Sequence, residues 1–232
     1  MHPTDKAARV AGAIYLLGVI TGPFSLMYVP NTIIVTGNPA ATATNILAHE
    51  TIFRLGILGD LLTGVWALAV TFALYRLFRG VDQSLAAVMV ILGGVMPAGI
   101  FFVNSLNWIA ALILAHGTDL TAFTSAQQAA LAMLFMHLHS KGNVVNSIFW
   151  GIWLFPFGTL VLRSGFLPRV LGMWLIGGGF GYLAVSFAGL FAPQYQDRVF
   201  MISQPLLFSE LAITFWLLVM GAKFRPSKVP AG

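Results

Sequence analysis

Apolar residues run nearly unbroken through six stretches of this chain, and polar residues gather in the short segments between them. Each stretch is close to the roughly 20 residues that a helix needs to cross hydrocarbon. The stretches do not alternate with a period of two, as lipid-facing barrel strands would. A backbone surrounded by lipid must then satisfy its own hydrogen bonds as helix. The pattern predicts an all-α, polytopic membrane protein in one domain over 1–232, with six transmembrane helices at about 7–29, 51–78, 85–115, 142–162, 170–192 and 199–222.

Local signals add detail. Gly22-Pro23 predicts a bend in the first span, and Gly93-Gly94 with Pro97 predicts close packing and a kink in the third. Thr42, Thr44 and Asn45 could start a short surface helix after the first span. From Ser125 to His139 the apolar positions suit a helix that lies on the interface or extends the fourth span. The first apolar run, preceded by Lys6 and Arg9, is similar to a signal peptide, with Ala41 and Ala43 as a loose cleavage pattern. Its core is longer than the 7–15 residues usual there, so it reads as the first span.

Composition supports the picture: 58% of the residues are hydrophobic and 8% charged, against roughly 25% charged in soluble domains. The net charge of +5 does not point to nucleic acid, because the basic residues are dispersed among short loops. They read instead as topology signals, since short cytoplasmic loops are enriched in Lys and Arg. Lys6, Arg9, Arg76, Arg79, Arg163, Arg169, Lys223, Arg225 and Lys228 fall on the side of the N terminus, and Arg54, Lys141 and Arg198 on the other. Both termini are therefore expected in the cytoplasm. The absence of cysteine removes disulfides and thiolate chemistry. A weak repeat relates spans one and two to five and six: Arg9-Val-Ala-Gly12 with Arg169-Val-Leu-Gly172, and Asp60-Leu61 and Trp66 with Glu210-Leu211 and Trp216. Chance likeness among apolar helices competes with true duplication.

Ionisable side chains inside the bilayer are costly and mark function by default. Asp60 and Glu210 are such residues, both expected about 12–16 Å below the outer ends of their helices. Arg54 lies six residues before Asp60, too far around the helix for a simple pair. Asn104 with Asn107 and Asn143 with Asn146 form polar stripes in the same outer half, where His49, His116, His137 and His139 also fall. These positions predict a ligand pocket of Arg54, Asp60, Asn104, Asn107, His139, Asn143, Asn146 and Glu210, open to a small amphipathic or lipid-like molecule. A metal site of His49, His139, Asp60 and Glu210 would instead suit a metal-assisted hydrolase, since imidazole and carboxylate hold zinc or iron. The plainer reading is that the carboxyls and asparagines join helices and that Arg54 snorkels to the interface. A third alternative is an accessory or assembly subunit. No HExxH or nucleophile-elbow pattern is present, and no cofactor can be named. Membrane lipids are the expected partners.

Phe53-Arg54-Leu-Gly56 through Asp60-Leu61-Leu62, then Leu138-His139-Ser140, and above all Arg163-Ser-Gly-Phe-Leu-Pro-Arg169-Val-Leu-Gly172 carry a resemblance, joined by Gly181-Tyr182-Leu183 and Glu210. By these residues the chain resembles, over nearly its whole length, a family of bacterial integral membrane proteins known as domain of unknown function DUF4386. The resemblance implies a bacterial cytoplasmic membrane and carries no activity, substrate or cofactor. His137 stands where the resemblance leads one to expect an acidic residue.

Overall fold

The computed structural model describes residues 3–118 and 120–222. Within them the chain is helical, without a strand. Six helices are long and apolar enough to cross a membrane: α1 (Thr4–Ile33), α3 (Glu50–Phe78), α4 (Gln83–His116), α5 (Ser125–Ser164), α6 (Arg169–Phe191) and α7 (Pro193–Met220). A short helix, α2 (Pro39–Ala48), lies between the first two and starts where the Asn38 side chain accepts the Ala41 N–H. Lys223, Arg225, Lys228 and His2 lie outside the described residues.

Each spanning helix packs against its neighbours in sequence, and α7 returns to α1, so the six close into a ring. Small residues set the closeness of these contacts, as expected where lipid offers no hydrophobic drive to associate. A Cβ on Gly12 of α1 would come within 2.5 Å of the Leu218 nitrogen on α7. Between α5 and α6, Gly151 faces the carbonyl of Gly179 and Gly158 faces that of Gly172; a Cβ on Gly151 would lie 2.8 Å away and one on Gly158 2.6 Å away. The ring closes on one face, where the Ala222 N–H donates to Asp5 at 3.2 Å and the Arg9 guanidinium to the Leu218 carbonyl at 3.3 Å. This is the terminal face; the opposite one, bearing α2, is the far face.

The helices are interrupted where the sequence weakens them. In α1 a π-turn, Phe24–Tyr28, follows Pro23, and in α4 another, Ile91–Val95, contains Gly93 and Gly94 and precedes Pro97. Proline cannot donate to the carbonyl four residues back, so the local turn widens. The α7 helix breaks at Phe208 after Pro205 and ends in a third π-turn, Trp216–Met220. Of the two expectations for residues 125–139, extension is the one found: they join the fourth span in a 40-residue helix, interrupted only at Trp153. Thr124 and Gln127 form a capping box that starts this helix, and Ala129, Ala132 and Met136 are buried on its first half.

Two apolar cores result. Leu74, Phe78, Trp153, Phe157, Leu160 and Leu217 anchor one toward the terminal face. Val29, Ile33, Ile46, Phe53, Trp108 and Met136 anchor the other toward the far face. Along α3, α4 and α5 the buried polar residues Asp60, Asn104, His139 and Asn146 fall between them.

Candidate functional site

Asp60 stands ten residues into α3, about 15 Å along it. Its carboxylate meets the His139 imidazole of α5, and both side chains are buried, at 0% and 2% exposure. Each gives the other a polar partner, without which burial between apolar cores would be costly. The His139 ring stacks on Trp108 of α4 with centroids 4.1 Å apart, and Trp108 in turn packs on Phe53 of α3. Asn104 completes the arrangement: its amide donates to the His139 carbonyl at 2.9 Å and to Asn143 at 3.2 Å, and accepts from Asn107 at 2.9 Å. Gly142 makes room for it, since a Cβ there would come 2.2 Å from the Asn104 oxygen. One Asp60 oxygen, the Trp108 N–H and both amide atoms of Asn146 are buried without a hydrogen-bond partner. Buried polar atoms are ordinarily satisfied, by water where protein cannot serve.

Asn104 and Asn107 also line a lateral groove between α4 and α5, with a volume of about 560 Å³. It is lined by Val95, Met96, Ile100, Val103 and Val145, and by Gly99. Val103 is 68% exposed, so on spanning helices the groove opens sideways to lipid. From Val95 to Asn107 it runs twelve residues of α4, about 18 Å. Apolar walls with neutral amides at one end suit a molecule with a hydrocarbon part and an uncharged polar head.

Five of the eight anticipated pocket residues, Asp60, Asn104, Asn107, His139 and Asn143, thus form one bonded group. Asn146 lies two turns further along the same face of α5. Arg54 is elsewhere: it is exposed and bonds Glu50 in its own helix at 2.7 Å, and His116 of α4 meets the same carboxylate at 3.3 Å. Glu210 is also apart. It lies seventeen residues into α7 and ten before its end, farther from the far face than expected, and accepts from the hydroxyls of Tyr15 on α1 and Tyr182 on α6.

The anticipated metal set of His49, His139, Asp60 and Glu210 is therefore not assembled. His49 is exposed at the start of α3, eleven residues from Asp60, and Glu210 is occupied by two tyrosines. Among the described residues no three His, Asp or Glu side chains converge to hold a metal. His137 points outward from α5 and is exposed. The apolar pattern did not mark Tyr15 and Trp108, because aromatic residues within apolar spans give no signal of their own, and Tyr182 entered only through the family resemblance. The sequence does carry the Glu50–Arg54 pair, which has the four-residue helical spacing.

No solved structure matches this chain. An uncharacterized protein of the archaeon Archaeoglobus fulgidus is 29% identical over 170 residues, 72% of this chain and 84% of that protein. The family described as Domain of unknown function (DUF4386) matches residues 10–221, nearly the entire spanning ring with both Asp60 and Glu210, and the chain belongs to that family.

Proposed function

We propose that this protein binds or carries a small lipid-like molecule with an uncharged polar head, taken from the bilayer into the groove between α4 and α5. The observation that supports the reading most is that Asn104 belongs to both places: it lines the lipid-facing groove and is bonded into the buried Asp60–His139 group. A head group at Asn107 thereby reaches the ionisable pair through one shared amide network. The reading includes a cell-membrane location with both termini cytoplasmic. It is supported by charge: of the nine Lys and Arg among the described residues, six (Lys6, Arg9, Arg76, Arg79, Arg163 and Arg169) lie toward the terminal face.

Gly99 supplies the test. A Cβ there meets nothing within 4 Å, so a side chain can start at this position without a clash, and Gly99→Trp is chosen to occupy the groove. In nanodiscs, a pyrene-labelled fatty alcohol is expected to bind the native protein, and G99W to weaken that binding at least about tenfold, the loss of roughly 1.4 kcal/mol. Equal binding by both proteins counts against the groove.

A further inference from the structure

The lipid reading leaves Glu210 unused, although its surroundings are the more specific of the two carboxylate sites. Three helices contribute to it: Tyr15 of α1 and Tyr182 of α6 each donate a hydroxyl to one carboxylate oxygen, and Thr214 in the next turn of α7 donates to the Glu210 carbonyl at 2.6 Å. Those two tyrosines are the titratable groups that face it. The charged residues of the same helices sit at their ends. Asp5 and Arg9 are paired with each other and with the end of α7, while Lys6, Arg169, Asp197 and Arg198 are exposed. Among the described residues no cationic side chain is hydrogen-bonded to this carboxylate, yet a lone anion inside a bilayer is costly.

Positive charge must balance it, and among the described residues no further His, Asp or Glu side chains join it to make up the oxygen-rich set that a metal ion takes. We infer that Glu210, between Tyr15 and Tyr182, is a proton-binding site, and that its proton occupancy governs the lipid groove. When the carboxylate is ionised both tyrosines donate to it. When it takes up a proton, its new O–H must donate, and one tyrosine turns from donor to acceptor. The helix that carries Glu210 is built to yield to such a change: it is broken at Phe208 just before it and widened by the π-turn Trp216–Met220 just after. The buried Ser209 hydroxyl and Trp216 N–H at those two points have no partner, and π-turns recur at functional sites.

A packed route leads from here to the groove. The Tyr182 ring meets Trp150 of α5 edge-on with centroids 6.0 Å apart. Trp150 stacks on Phe101 of α4 at 5.9 Å, one turn from Asn104. This part of the inference rests on the lipid reading of the groove; the proton site does not.

The test uses the full chain in nanodiscs and has two arms. Infrared difference spectra between acid and alkaline buffer should show a protonated-carboxyl band that E210Q lacks and that Y182F, having lost one hydroxyl, displaces. Y182F keeps the carboxyl and decides the matter if E210Q fails to assemble. Identical spectra for native and E210Q protein, or for native and Y182F protein, overturn the proton site. In the second arm, binding of the pyrene-labelled fatty alcohol should change about fivefold or more between the same two buffers, and not change in E210Q. Binding that persists unchanged with pH in the native protein overturns the coupling. No binding at any pH contradicts the lipid reading alone, and the infrared result still decides Glu210.

Discussion

Asp60 and His139 carry the clearest residue-level prediction. Removing one member of a buried pair leaves an uncompensated charge and costs about 3–5 kcal/mol, whereas replacing both by apolar groups is close to neutral. His139→Leu should therefore lower the thermal midpoint in nanodiscs sharply, and the double variant D60L/H139L should recover most of the loss. A double variant as unstable as the two single effects added together would show that the pair is not coupled. These two residues were legible in the sequence because charge stands out against an apolar run. Their pairing was not, since it depends on how α3 and α5 are set around Trp108, and no spacing within one helix encodes that. Glu210 misled for the same reason. Counting from a span drawn at residue 199 put it at the level of Asp60, but α7 starts at Pro193 and its partners are tyrosines.

For the helices, apolar periodicity settled which segments exist, and the ends were less certain. The fourth span was drawn to begin at residue 142, yet helix continues back to Ser125, because Ser140-Lys141-Gly142 contains nothing that breaks a helix already held by burial of Met136 and His139. The proline and glycine signals in α1 and α4 did foretell irregular turns. What no pattern revealed is that Gly151 and Gly158 meet Gly179 and Gly172 backbone to backbone. Substituting Gly158→Leu should force α5 and α6 apart, with the 1–3 kcal/mol or more that overpacking costs. The loss should register as a lower thermal midpoint and as faster amide exchange in both helices. Exchange confined to one helix would contradict the direct contact.

Among the described residues the six spanning helices form a ring whose first and last helices meet on one face, and the orientation proposed above puts that face in the cytoplasm. A chain without cysteine makes the orientation simple to check. Ser84→Cys, at the exposed start of α4, should resist a membrane-impermeant maleimide added to intact cells, and Thr121→Cys, in the far-face loop, should react. The reverse pattern would invert the topology. Residue, helix and ring come together at the groove, where exposed apolar walls end on buried amides.

The most direct measurement compares two single cysteines on lipid-facing helices, V103C inside the groove and F180C on the outer surface of α6, 68% and 62% exposed in the native side chains. Each is labelled with a fluorophore and titrated with a nitroxide-labelled fatty alcohol in nanodiscs. A bound molecule in the groove predicts quenching at position 103 that saturates at a low fraction of the quencher, and quenching at 180 that rises only with its bulk concentration. The same curve at both positions would mean that the groove meets the quencher only as bulk lipid does, and would contradict the account.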